Sequence, residues 1–524
     1  MEILRNARIY TLDRAHSRAS VIVVDHGEIA AVGGDELLRE FEQGHQMDLG
    51  GRIVLPGLID AHLHLKYYAL SLQEVDCETE SLATCLQRVR ERADAAPRDE
   101  WILGHGWNHN SWGQWPSRRE LDAAAPDNPV YLSAKSLHAA WANSAALRLA
   151  GIDAGTSDPK DGQIQRDAEG GPTGILLESA ALLVQQLIPE PDLAGLSDAI
   201  ELAQSNLWKL GLTGVHDFDR RDCFMALQHL QSEGRLKMRV TKNIPVELLD
   251  QARDLGLRTG FGNDWLRIGS VKAFMDGALG PRTAAMFQAY DGEPGNKGML
   301  NLDGEQLFEL GRRAAEVGLG MAVHAIGDRA NHEVLDAYEN LRSYESEKGL
   351  PHLRHRIEHV QLLHPDDVQR LAHLDVVASM QPLHATSDML MADTYWGGRT
   401  SLAYALKTQL DLGAHVAFGS DAPVESPNPF WGIHAAVTRR RADGSPGPEG
   451  WHAEQRLSVQ QAVEGFSSGA AYAAYAEQRQ GRLTVGSLAD LIVLETDPFM
   501  CEPAKLRNIQ SSATMVGGEW VYQS

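Results

Sequence analysis

Positive charge is scarce in this chain. Its 524 residues hold 48 Lys and Arg against 71 Asp and Glu, a formal net charge of −23. Such a surface repels phosphate backbones and anionic lipid headgroups, so neither nucleic acid nor a membrane is expected as a partner. Cysteine is scarce too. Cys77, Cys85, Cys223 and Cys501 form no C-x-x-C pair, which speaks against a disulfide framework and for free thiols in a reducing compartment. Long apolar runs are missing, so no bilayer span is expected. The opening stretch, MEILRNARIYTLDRAHSRAS, carries charges throughout and does not read as a secretory leader. A cytoplasmic location follows as the expectation.

What remains is an ordinary globular composition, 43% hydrophobic and 23% charged, on a chain long enough for a large barrel plus a smaller domain. Both ends alternate as strands do. At the start stand ILRNARIYTL and SVIVVDHGEIAAVG, with DHGE as a hairpin signal; at the end stand LADLIVLETDP and SATMVGGEWVY. The simplest account pairs the two ends in one small β-sandwich, residues 1–55 with 477–524. The middle, 56–476, alternates short apolar runs with helical patterns such as DGEQLFELGRRAAEVG, and eight such units predict a (β/α)8 barrel. The runs are LPGLIDAHLH, then WILGHGWNHN or PVYLSAKSLH, then GLTGVHDFD, RIGSVKAFMD, GLGMAVHAIGD, LRHRIEHVQ, DVVASMQPLH and AHVAFGSDAP. The stretch of about 66–210 is too long for one βα unit and predicts an insertion after the first strand.

Barrel enzymes keep their chemistry at the C-terminal ends of the strands, and here those ends carry ligand-type side chains. The first gives His62 and His64, which alternate and so face one point. Lys272, His324, His359 and Asp421 end later strands. Four imidazoles and a carboxylate suit zinc or a similar divalent ion. Two ions side by side need an anionic bridge. No acid stands where the fourth of these strands ends, but Lys272 does, and a lysine amine that has reacted with CO2 becomes a bidentate carbamate. One ion is the simpler alternative. Each position also has a plainer reading: His324 and His359 as core histidines, Asp421 as a helix cap, Lys272 as an ordinary strand-end lysine.

Taken together, PGLIDAHLH, VKAFMDGALGPRTA, VHAIGD, RIEHVQ, SMQPLHA, GSDAPVE and GSLADLIVLETDP resemble the amidohydrolase superfamily. The likeness is to its amidohydrolase-3 branch of YtcJ-like metal-dependent hydrolases, and it runs from about Leu55 to Pro498. The resemblance implies a metal-bearing barrel beside a β-sandwich, and a carboxylated lysine bridging two metals, carried onto Lys272. The characterised activity most readily transferred from that branch is N-substituted formamide deformylase. The expected reaction is hydrolysis of a non-peptide C–N bond of a small molecule. Asp421 serves as proton shuttle, and His138 or Arg282 assists the oxyanion. A deaminase or cyclic-amide hydrolase is the alternative, and a non-catalytic scaffold the remoter one. The expected partner is a small-molecule substrate, and a homodimer is compatible with the chain.

Other residues have supporting readings. His216 competes as a ligand but is weighed as outer support. Asp276 shapes the loop after the Lys272 strand. His384, with His138, is a polar handle for substrate. The insertion is dense in aromatic residues: Trp107, His109, Trp112, Trp115 and Trp141. These read mainly as its own small core, and alternatively as an apolar wall for a substrate substituent.

Overall fold

The computed structural model describes residues 1–134, 139–160 and 162–524, the side chains of Asn110 and Ser111 excepted. Eight parallel strands in consecutive order form one sheet. They are β1 (Leu58–Leu63), β2 (Leu212–Asp217), β3 (Arg239–Pro245), β4 (Leu266–Phe274), β5 (Met321–Ala325), β6 (Arg356–His359), β7 (Val377–Met380) and β8 (Val416–Phe418). Helices cover the outside, so β1, β2, β6, β7 and β8 are buried along their whole length, as parallel strands covered on both faces must be.

The ring closes just past the end of β8. Asp421 N–H donates to His62 O at 2.7 Å and His64 N–H to Ala422 O at 2.8 Å. The Asp60 carboxylate accepts from His62 N–H, Ser420 N–H and the Ser420 hydroxyl at 3.0, 3.0 and 2.5 Å. Gly419 sits at this seam because a Cβ there would lie 2.5 Å from His62 N and 2.7 Å from Asp60 Oδ1.

Both termini build the sandwich. One sheet holds Glu2–Arg5, Val21–Asp25, Glu28–Gly33 and His45–Asp48; the other joins Arg8–Tyr10 and Ile53–Pro56 to Leu491–Leu494, Ser511–Val516 and Glu519–Gln523. The two ends of the chain meet where Ile53–Pro56 pairs antiparallel with Leu491–Leu494. Leu4, Ile22, Val54, Leu491, Val493 and Met515 fill the space between the sheets. The DHGE hairpin forms as expected. Asp25 pairs with Glu28, and the two turn residues, His26 and Gly27, both take positive φ, which suits the twist of a two-residue hairpin.

Residues Ala69–Ala199 form a compact unit of their own, the remainder of the chain the other. In the smaller unit Ile102–Trp107 and Val130–Ala134 pair in parallel within a six-stranded sheet. Neither WILGHGWNHN nor PVYLSAKSLH is therefore a barrel strand, as the sequence pattern had suggested. The missing strand is β3, RVTKNIP. It escapes pattern reading because its buried side chains are charged and polar. Arg239 is paired with Asp490, Lys242 with Asp217, and Asn243 donates to Asp217 O. Trp107 and Trp141 have no exposed surface and pack with Cys77, Cys85, Leu121 and Ile175. Their indole N–H groups donate to Leu132 O and Ser117 O. These two rings are the unit's own core, not a substrate wall. Trp112 packs against the same cluster. Among the described residues no helix is long and apolar enough to cross a membrane, and the four cysteines are free.

Candidate metal centre

His62 and His64, on and just past the end of β1, present their Nε2 atoms to one carboxylate oxygen, each 3.5 Å from Asp421 Oδ1. The His359 ring lies 4.9 Å from that of His62 and 4.6 Å from that of His324. Lys272 is buried on β4 with Nζ 4.7 Å from the Phe218 ring centre and 4.8 Å from that of Phe274. Its charge bears on His62, His324 and His359 alike. The six residues expected to hold metal thus come together at the C-terminal mouth of the barrel.

The rear nitrogens reveal how each ring is aimed. His62 Nδ1 meets Glu358 Oε2 at 2.6 Å, His64 Nδ1 meets Asp219 Oδ1 at 3.0 Å, and His359 Nδ1 meets Gln381 Oε1 at 2.8 Å. His324 is reversed, its Nε2 lying 2.8 Å from Gly277 O. An acceptor behind each ring holds the proton there and leaves a lone pair in front, the arrangement a ligating imidazole needs. The front atoms are Nε2 of His62, His64 and His359 and Nδ1 of His324.

Electrostatics agree with this disposition. Burial, aided by the Lys272 charge, lowers His62 to about 4 and His324 to about 3, and burial holds His359 well below the usual imidazole range. These rings are neutral donors at neutral pH. His64 differs. Burial would lower it, but the Asp219 and Asp421 carboxylates raise it to about 9. Burial also works against ionisation of Asp421, yet the bond from His64 and the neighbouring His62, His359 and His384 rings hold its carboxyl well below the usual range. Burial brings the Lys272 amine down to about 8. The neutral imidazoles of His62, His324 and His359 and the ionised Asp421 carboxylate fit a divalent cation, and His64 joins them by releasing its front proton as the cation binds.

Three residues of the site have strained backbone. His359 and Val360 have φ of 79° and 45°, and Asp421 has 61°. A β-branched residue in the left-handed region is held there only by its surroundings, and such strain gathers at functional sites.

Among the other expected residues, Asp276 stands behind His324, with Oδ1 3.6 Å from Nε2. His138 lies outside the described residues. Arg282, proposed beside the oxyanion, is engaged within its own neighbourhood: Nε contacts Glu293 Oε1 at 2.7 Å and Nη1 donates to the Tyr395 hydroxyl at 3.1 Å. Asp276 ties the loop after β4 to the β5 end, accepting from Ala285, Ile326 and Gly327 N–H at 2.9, 3.0 and 2.9 Å. His216 takes a hydrogen bond at Nδ1 from Arg356 Nη1 at 2.9 Å. Arg356 in turn forks onto Glu358, Nε to Oε1 at 2.8 Å and Nη2 to Oε2 at 3.0 Å.

Sequence reading missed this support, namely Arg356, Glu358, Asp219 and Gln381. A signal for part of it was present. In RIEH the Arg and Glu alternate, so both face the barrel interior beside His359, which follows them.

A buried polyhistidine and carboxylate site at the mouth of a (β/α)8 barrel, with a sandwich built from both termini, defines a metal-dependent hydrolase of the amidohydrolase type. Residues 46–522 match the model of the amidohydrolase family, and the chain belongs to that family. It is an enzyme, a hydrolase acting on C–N bonds. It is 33% identical to YtcJ of Bacillus subtilis over 98% of each chain. It is 29% identical to N-substituted formamide deformylase of Arthrobacter pascens over 99% of this chain and 97% of that one. Among solved structures, an uncharacterized metal-dependent hydrolase from Pyrococcus furiosus matches with TM-score 0.79 and 33% identity, covering 95% of this chain and 99% of that chain.

Proposed function

We propose that this enzyme hydrolyses the amide bond of a small N-substituted formamide or N-acyl amine, releasing the amine and the carboxylic acid. The observation that carries the reading is the convergence of His62, His64, His324, His359 and Asp421, each imidazole aimed by an acceptor behind it. These residues, with Lys272 carboxylated by CO2 as the bridge, would hold two divalent ions, zinc being the natural choice. Without the carbamate, His62, His64, a further histidine and Asp421 suit one. A divalent cation bound there supplies a water of lowered pKa and polarises the carbonyl oxygen.

The rest is the work of the chain itself. Asp421, ionised and placed between His62 and His64, takes the proton that the attacking water loses. It returns that proton to the amide nitrogen as the C–N bond breaks, so the amine leaves neutral. Glu358, Asp219 and Gln381 keep the rings from turning. The similarity to the formamide deformylase supports formyl as the acyl group. Free thiols and an acidic surface favour a cytoplasmic setting.

Zinc-reconstituted protein tested on N-formyl, N-acyl and cyclic amides, with detection of released amine or ammonia, decides the reading. Amine from open-chain amides is expected. Turnover only of amidines or cyclic amides would transfer the enzyme to the deaminase or cyclic-amide class. Full activity after exhaustive chelation, with no metal by elemental analysis, would reject the metal reading altogether. Asp421→Asn should lower kcat by about 10²–10⁴, with metal content measured in the same sample.

A further inference from the structure

We propose that His384 is a further catalytic residue, donating a hydrogen bond from Nε2 to the substrate carbonyl oxygen as it becomes an oxyanion; this rests on the hydrolase reading above. His384 lies in the first turn of the helix Pro382–Trp396, which begins directly after β7. It is buried, with Nε2 3.8 Å from Asp421 Oδ2, too far for a hydrogen bond. Its ring runs nearly parallel to that of His359, at 15° and 6.0 Å between centres. Nε2 has no hydrogen-bond partner among the described residues. Buried polar atoms are nearly always paired, so one left open beside a reaction centre points to a ligand.

The orientation of the ring distinguishes it from the metal-binding set. Behind each of His62, His64, His324 and His359 stands an oxygen, which keeps a proton at the rear and turns the other nitrogen to the front, where a cation would take its lone pair. Behind His384 stands an N–H donor: Gln361 Nε2 is 3.4 Å from its Nδ1. The rear nitrogen is then the acceptor, and the ring carries its proton on Nε2, at the front. His384 therefore offers a hydrogen where the others offer lone pairs. Two more buried polar atoms of the same patch also lack partners among the described residues, the donor Gln381 Nε2 and the acceptor Gln361 Oε1. Donors and an acceptor left open together suit a secondary amide, which has one carbonyl oxygen and one N–H.

In the reaction the water oxygen bonds to the carbonyl carbon and the π pair moves onto the oxygen. His384 N–H stabilises that charge without giving up its proton. When the pair returns, the C–N bond breaks and Asp421 protonates the nitrogen. A donor of this kind is worth about 10²–10³ in kcat.

The test compares wild type with His384→Gln and His384→Phe, both zinc-reconstituted and checked for folding by circular dichroism. Elemental analysis should return the same metal content in all three. Loss of metal in both variants would make His384 a ligand and overturn the proposal. On N-benzylformamide, kcat should fall about 10²–10³-fold with KM within about threefold, and imidazole should restore at least tenfold of the loss in His384→Gly. An unchanged kcat overturns it. A second arm is independent of the substrate: the affinity for methylphosphonate, a tetrahedral anion, measured by calorimetry. Wild type should bind at least about tenfold more tightly than His384→Phe, and equal affinities overturn the assignment. Should no amide be turned over by wild type, the proposed function falls, while the methylphosphonate arm still decides the role of His384.

Discussion

At the residue scale the site is a set of side chains whose useful state is set by the neighbour behind. Glu358 is the sharpest case. It is fully buried, accepts two bonds from Arg356 and holds the rear of His62. Glu358→Gln keeps the shape but removes the charge that fixes the ring and its tautomer. Metal affinity should fall about 10–100-fold, read by competition with a chelator. Lys272 makes a different demand. On the proposed two-metal reading, Lys272→Ala should lose one or both ions and most activity, and a short carboxylic acid should restore part by standing in for the proposed carbamate. Lys272→Arg should not rescue, since a guanidinium keeps its charge and does not carboxylate. A bare amine on Lys272 in the electron density of an active, fully metallated crystal would reject the carbamate.

Elements carry these residues, and their ends matter most. Candidate ligands at strand ends were legible in the sequence because a parallel strand exposes side-chain chemistry only where its apolar run stops. H-x-H after LPGLIDA, VHA, RIEH and GSD mark β1, β5, β6 and the segment just after β8. β3 was not legible, because RVTKNIP buries charge and lacks the apolar signature of its neighbours. The helix Pro429–Thr438 after β8 carries a pH-sensitive group of its own. His434 is buried and, chiefly by burial with the Arg507 and Arg440 charges adding, is lowered to about 4. The unfolded chain, with a pKa near 6.5, binds the proton first. Stability from this group is therefore complete above about pH 6.5 and is lost as pH falls toward 4. Between pH 7 and pH 5 the wild type should lose about 2 kcal/mol that His434→Gln does not, measured by urea melts at both pH values.

For the molecule as a whole, barrel and sandwich are joined by a buried ion pair at the start of β3. Arg239 donates from Nε to Asp490 Oδ2 at 3.0 Å and from Nη2 to Oδ1 at 2.9 Å, while its guanidinium stacks 3.8 Å over Trp265. Asp490 also accepts from Gly517 N–H at 2.7 Å. Asp490→Ala leaves a buried cation without a partner and should destabilise by about 3–5 kcal/mol, seen in denaturant unfolding. Replacing both partners by apolar residues, Arg239→Met with Asp490→Leu, should recover much of the loss. Recovery of none would mean that the pair does more than satisfy its own charges.

The sequence by itself determined the candidate ligand types, their order along the chain and the pairing of β-rich ends. Each of these is written in a local pattern: alternation, a strand end, a turn. Tertiary structure alone decided which group stands behind each ligand. His62 and Glu358 are 296 residues apart, and His64 and Asp219 are 155 apart. It also decided that RVTKNIP is a barrel strand. The physical reason is common to both. A polar or charged side chain can be buried only beside a partner, and that partner arrives from a remote segment once the chain has folded, so no local pattern announces it.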